Sequence, residues 1–190
     1  MPFQASFRAR PFMTIHIEPA TSAAQIERIA RLANEIWYEY YVPLIGKAQV
    51  DYMVARFQSA AAMLDQVTGD GYHYFMILED MPKEGEALLG YFAMQPQPAQ
   101  CAMFISKLYL HVRGRGRGTG RMALEFIERE SSRQGLNTLW LTVNKGNPAV
   151  STYQQWGFRI AAAIVTDIGN GFVMDDYRME KPVESVHQDP

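Results

Sequence analysis

The chain has 190 residues, 48% apolar and 12% aromatic, with a formal net charge of -2. That is enough for one substantial core and short for two, and the near-neutral balance excludes a general polyanion binder, so any positive site is local. A single cysteine, Cys101, excludes an intramolecular disulfide framework and a thiolate metal cage and points to a reducing, cytoplasmic setting, and no apolar run reaches the ~20 residues that span a bilayer.

In chain order, residues 1–13 carry Arg8 and Arg10 without the apolar block of a secretory signal and are expected to form a disordered leader, with Met13 a second candidate start. A strand is expected at 14–18. Thr21 is the expected N-cap of a helix, or broken pair of helices, whose apolar face is Ile26, Ile29, Ala30, Ala33, Ile36 and Trp37. A second helix, with Val50, Met53, Val54, Phe57 and Ala61 on one face, ends at the Gly69-Asp70-Gly71 turn. The period then becomes that of strands, with a hairpin over 72–79 and 87–94 and a further strand at 103–110. Cys101, just before it, is expected to be a small buried residue. A helix from Thr119 to Gln134, a buried strand at 138–143, a short helix opening at Pro148 and two closing strands complete the domain, 14–181, with 182–190 as a flexible tail. These elements predict an α/β (α+β) domain around a mixed sheet of about seven strands flanked by about four helices.

Between the strand at 103–110 and the helix that follows, Arg113 to Arg121 interleaves Gly114, Gly116, Gly118 and Gly120 with Arg113, Arg115, Arg117 and Arg121. A glycine-rich turn entering a helix leaves backbone N–H groups converging at the positive end of the helix dipole, which is an anion site. Neither register of the turn fits the dinucleotide G-x-G-x-x-G, because Thr119 and Arg121 fall where the third glycine belongs. The nucleoside-triphosphate loop fails for want of a lysine between Lys107 and Lys145.

The segment Arg115-Gly116-Arg117-Gly118-Thr119-Gly120 does fit [QR]-x-x-G-x-[GA], and so resembles the pyrophosphate-binding loop of the GCN5-related N-acetyltransferase (GNAT) superfamily. Downstream, Asn147, Tyr153, Gly157 and Phe158 occupy the places of that family's second hallmark. The resemblance implies a V-shaped splay between the strands at 103–110 and 138–143, holding acetyl-CoA. It implies pantetheine pairing along Leu108, Tyr109 and Leu110, pyrophosphate held by Arg115, Gly116, Arg117, Gly118, Thr119, Gly120 and Arg121, and Asn147 beside the pantetheine. By the same resemblance Tyr153 is expected near the thioester sulfur as general acid. The implied reaction is direct transfer to a small-molecule amine, without a metal. The four histidines show no paired ligand spacing.

Many relatives carry a glutamate on the strand before the loop; here that place falls on Ser106, next to Lys107. The general base is therefore open among Glu35, Glu39, Asp51, Asp175 and Asp176. Glu35, Trp37, Tyr38, Glu39, Tyr40, Tyr41, Asp51 and Tyr52 could surround a cationic amine, and Trp37, Tyr41 and Phe57 could equally be core. The segment is similar to that of bacterial polyamine acetyltransferases, which implies a polyamine acceptor. Two alternatives stand beside this: a peptide or protein amine acetyltransferase, and a non-catalytic acyl-CoA sensor. No nucleic acid or membrane partner is expected, and the apolar strand at 158–165 could serve as sheet core or as a homodimer interface.

Overall fold

The computed structural model describes residues 14–81 and 85–184. The expected leader, Met13 and the end of the expected tail lie outside these residues. Seven strands form one sheet: β1 (Ile15–Pro19), β2 (His73–Met81), β3 (Gly85–Gln97), β4 (Ala102–Leu110), β5 (Thr138–Asn144), β6 (Arg159–Gly169) and β7 (Phe172–Pro182). Their spatial order is β1-β2-β3-β4-β5-β7-β6. Every neighbouring pair is antiparallel except β4 and β5, which run parallel. The last strand runs further than expected: Pro182 pairs with Thr138, and the Val183 N–H donates to the Asn137 carbonyl at 2.8 Å.

Among the described residues there are six helices where about four were expected: the first expected helix is followed by a short extra one, as the broken-pair alternative allowed, and the second is broken in two. The first is α1 (Ala23–Tyr40), followed by α2 (Val42–Ile45), α3 (Lys47–Phe57), α4 (Ala60–Gly69), α5 (Thr119–Arg133) and α6 (Ala149–Gln155). Pro43 sits at the start of the short α2, where its missing N–H is tolerated, and Gly46 at φ 82° turns the chain into α3. Between α3 and α4, Gln58 leaves helical geometry and Ser59 opens a new helix, its hydroxyl accepting from the Ala62 N–H at 3.3 Å. The break rotates the apolar face, so that Met63 is buried and Ala61 exposed. At the head of α1 the cap is Ser22, one residue past Thr21. It accepts from the Gln25 N–H while the Gln25 side chain accepts from the Ser22 N–H, a reciprocal capping box in which the cap contributes about 1 kcal/mol.

The sheet has a core on each face. Ile29, Ala33, Ile36, Trp37, Val50 and Met63 from α1, α3 and α4 pack on Tyr74, Met76, Leu78 and Tyr91. On the other face Ala123, Leu124 and Ile127 of α5 pack on Ile77, Phe92, Met103, Leu139 and Met179. Cys101 departs from expectation: it is exposed, at φ 50° in the tight turn that feeds β4.

Strand β4 changes face at a bulge. Its register against β3 moves from Met94 opposite Ile105 to Ala93 opposite Lys107, which leaves Ser106 as the inserted residue. Beyond the bulge Lys107 and Tyr109 turn toward the α1–α4 side, while Leu108 and Leu110 pack with the α5 side. At this end Gly90 of β3 lies opposite Leu110, and a Cβ there would come within 2.6 Å of the Tyr109 carbonyl oxygen and the Leu110 side chain. Gly90→Ala should therefore destabilise the protein by about 1–3 kcal/mol, read as a lower denaturant midpoint with an unchanged slope.

Candidate active site

The parallel pair β4 and β5 is held together at only three positions, Ala102 with Thr138, Met103 with Leu139 and Phe104 with Trp140. After these the strands part. The His111 N–H donates to the Leu89 carbonyl at 2.8 Å, so by strand alternation Leu108 and Leu110 turn their backbone groups into the gap. The sheet thus has an internal edge at the place expected for the V-shaped splay.

The glycine-arginine turn lies at the head of that gap. A short 3-10 turn at Val112–Gly114 leads to Gly116 at φ 70° and Gly118 at φ 79°, the N-cap of α5. These left-handed positions suit glycine and point successive N–H groups outward at the start of a 15-residue helix. Inside the turn the Thr119 hydroxyl is buried without a hydrogen-bond partner, an orphan that a phosphate oxygen would satisfy. Gly120 has a packing duty: a Cβ there would meet the Trp156 ring at 2.9 Å and Leu110 at 3.4 Å. The turn and the gap together fit the pyrophosphate and pantetheine of acetyl-CoA.

The arginines have partners of their own that sequence reasoning did not foresee. Arg115 donates to the Leu110 carbonyl at 2.9 Å, grips Glu39 with two bonds at 3.0 and 2.8 Å, and lies over the Tyr40 ring. Arg117 is paired with the buried Glu79, whose carboxyl is held below its ordinary range by that guanidinium. Arg121 bonds Glu125 at 3.0 Å, and Arg113 leans on His111. Three of the four arginines of the turn are thus paired with carboxylates, so that an anion held there would depend on backbone N–H groups and the helix terminus.

Tyrosines gather on the α1–α4 side of the gap. Tyr109 touches Trp37, Tyr41 and Tyr91 at ring-centroid separations of 5.6, 6.1 and 5.4 Å. Buried Asn147 links this cluster to α6: its Oδ1 accepts from the Tyr40 hydroxyl at 3.0 Å and from the Ala149 N–H at 2.9 Å, and its Nδ2 donates to the Tyr41 hydroxyl at 3.4 Å. Tyr153 stands on α6 against Trp156 and Phe158. Burial, assisted by the nearby Tyr40, pushes its pKa up to about 12, so it carries its proton at neutral pH.

The residues expected around an acceptor amine separate into groups. Trp37 is core. Glu35 is exposed and lines an open groove between α1 and α4 with Glu27, Arg31 and Asn34. Asp51 is held by Lys47 at 2.7 Å and by the Tyr38 hydroxyl. Tyr52 donates to the Ile168 carbonyl, lies tilted against the Phe172 ring at a centroid separation of 5.4 Å, and with the Gln49–Val173 bond of 2.8 Å ties the β6–β7 hairpin to α3.

Two ionisable groups on this face are buried, Lys107, which no sequence signal singled out, and Asp176, one of the five general-base candidates. Lys107 donates to Gln66 at 2.8 Å between the rings of Tyr72 and Tyr74, and burial pulls its pKa down to about 7. Asp176 of β7 is 8% exposed, and burial followed by the Asp175 charge pushes its pKa up to about 6, against an opposing pull from Lys145 and Thr142. At the far edge of the sheet His16, Asp80 and Glu86 bring ligand atoms within 4.8 Å of one another at exposed or half-exposed positions, the one such trio among the described residues.

The profile of the Acetyltransferase (GNAT) family matches residues 27–158, most of the chain. The protein belongs to that family and is an acetyl-CoA-dependent N-acetyltransferase. Among solved structures it is similar to the PaiA N-acetyltransferase from Thermoplasma acidophilum in complex with coenzyme A, at 18% identity and a TM-score of 0.69 over 90% of this chain and 99% of that one. It is similar also to the ribosomal-protein-S18-alanine N-acetyltransferase from Escherichia coli, with 16% identity, TM-score 0.61 and 93% and 99% of the chains covered. A third is a mutant form of the spermidine/spermine N-acetyltransferase SpeG from Vibrio cholerae, with 16% identity, TM-score 0.60 and 89% and 95% covered. No curated protein sequence matches the chain. No helix among the described residues is long and apolar enough to cross a membrane.

Lys107 sets a pH dependence of stability. An unfolded lysine stays protonated up to about 10.5 whereas the folded one releases its proton near 7, so the unfolded state binds more protons in between and stability rises with pH there. Lys107→Met should raise the melting temperature most at pH 6, and the gain should shrink as pH climbs from 7 toward 10. In the turn, Gly118→Val forces a β-branched residue into a left-handed conformation. It should weaken CoA binding at least tenfold by calorimetry with the far-ultraviolet circular dichroism unchanged.

Proposed function

We propose that the protein acetylates the amine of a small molecule by direct transfer, in a cleft formed where β4 and β5 part. The observation that carries this is the internal sheet edge at Leu108–Leu110 running into a glycine turn with an orphaned Thr119 hydroxyl. The N–H groups of residues 115–121 would hold the pyrophosphate, and the backbone of Leu108 and Leu110 the pantetheine. Bound acetyl-CoA supplies the thioester that the amine attacks. Asn147 fixes the Tyr40 and Tyr41 hydroxyls and so shapes the wall beside the cleft. Tyr153, still protonated at neutral pH, donates its proton to the departing sulfur.

The fastening of the β6–β7 hairpin to α3 through Tyr52 and Gln49 supports an acceptor that enters end-on. An extended peptide laid across the sheet would have to displace those bonds. A polyamine is the longest small acceptor this arrangement favours; its second cation would compete with Lys47 for Asp51 or with Arg115 for Glu39.

Calorimetric titration with acetyl-CoA and with CoA tests the cleft, and saturable one-site binding is expected. Tyr153→Phe should lower kcat by about 100-fold while acetyl-CoA affinity changes less than threefold. Equal loss of both would favour a sensor without chemistry. A panel of spermidine, free amino acids, an aminoglycoside and lysine or N-terminal peptides should show turnover of small amines, and exclusive turnover of a peptide would overturn the acceptor class.

A further inference from the structure

A protonated amine must lose a proton before it can attack, and the strand position where many relatives carry a glutamate holds Ser106. From the geometry of the cleft we infer, on the basis of the acetyl transfer proposed above, that Asp176 is the general base that takes this proton.

Position is the first argument. Along β7, Phe172 and Met174 pack into the α1–α4 core and Arg178 lies 4.1 Å from the Trp140 ring centroid on that face, so Asp176, between them in the alternation, faces the same way. Tyr109 of β4 projects from this face beyond the parting of the strands, and the Asp176 charge is close enough to help push the Tyr109 hydroxyl pKa upward. Asp176 and Tyr109 thus stand on the two sides of the gap, on the side closed by α3 and the hairpin.

Availability is the second. Glu39 is clamped by Arg115, Asp51 by Lys47 and Tyr38, and Asp175 by Lys145, while Glu35 lines the groove between α1 and α4. Among the described residues Asp176 is the buried carboxylate on this face with no cation bonded to it. Its surroundings from each packed element are Thr142 and Asn144 on β5, Lys145 after β5, Tyr109 on β4, Ile164 on β6 and Asp175 on its own strand. Lys145 is engaged with Asp175 and the Tyr177 ring on the other side of the strand.

Chemistry is the third. A carboxyl with a pKa near 6 is mostly ionised at neutral pH yet a better base than an exposed aspartate, as a proton acceptor operating near pH 7 should be. One proton passes from the acceptor's ammonium to a carboxylate oxygen of Asp176, leaving a neutral amine and a neutral carboxylic acid. The acid returns its proton to water after the product leaves, the second proton that the nitrogen sheds as the amide forms replaces the one Tyr153 gives to the sulfur, and the site ends as it began. An ordinary structural aspartate would stabilise the fold. This one is buried without a cation, so its ionised form strains the folded state as pH rises from about 4 to above 6.

The test uses the full chain with Asp176→Asn and Asp176→Glu. Without any ligand, Asp176→Asn should melt at a higher temperature than the wild type at pH 7.5 and at the same temperature near pH 4. Carbon-13 NMR of aspartate-labelled protein should show a carboxyl titrating near pH 6 in the wild type and missing in the variant. With the fastest amine of the panel above, Asp176→Asn should lose about 100-fold in kcat/KM at pH 7.5, lose the acidic limb centred near pH 6, and keep its CoA affinity. Asp176→Glu should restore part of the activity. An Asp176→Asn variant within threefold of the wild type, or one that is destabilised at pH 7.5, would overturn the role of Asp176 and leave the proposed function standing. Wild-type protein that binds no CoA or acetylates no amine would overturn the proposed function itself.

Discussion

The parting of β4 and β5 after three paired residues is the constraint on which the rest of the molecule depends. A parallel pair that separates leaves backbone donors and acceptors facing a gap, and such groups must find partners or water. Elsewhere the sheet is continuous: β3 supports β4 along its length, and β7 supports β5 over all seven of its residues. The gap is therefore held open by rigid neighbours on both sides. That is what makes it a cleft with a fixed shape rather than a frayed end.

Everything chemical is arranged with respect to that gap. The glycine turn closes its head and brings the start of α5 to it; α6 brings Tyr153 and, through Asn147, the tyrosines of α1; β7 brings Asp176. The bulge at Ser106 decides which way the side chains of β4 face beyond it, since it turns Tyr109 toward the α1–α4 side and Leu108 and Leu110 toward α5. Without the inserted residue the face assignments beyond it would be exchanged.

Much of this was legible in the sequence where local chemistry determines the outcome. The turn at 113–121 announced itself through its alternating glycines, two of which are left-handed and two of which leave little or no room for a side chain, and α5, β5 and α6 followed from clear periodicity and from Pro148. The splay was expected from resemblance, and so was the role proposed for Tyr153. What stayed hidden depends on tertiary neighbours. The break at Ser59 lies in an alanine-rich stretch whose helical period continues across it, so only packing reveals it. The arginines of the turn read as free charge because Glu39 and Glu79 lie 76 and 38 residues away from their partners. Asp176 reads in "VMDDYRME" as one of two strand acids, and nothing local distinguishes the exposed Asp175 from its buried neighbour.

An interior sheet edge that a ligand can complete also links the protein's persistence to its cofactor. A molecule that binds the folded chain and not the unfolded one stabilises it in proportion to the logarithm of its concentration over its dissociation constant. Occupancy of the cleft would therefore suppress local opening around β4 and β5. The same contacts that hold acetyl-CoA for reaction would thus also hold the two halves of the sheet together, so the resistance of the protein to unfolding would rise with the concentration of its cofactor.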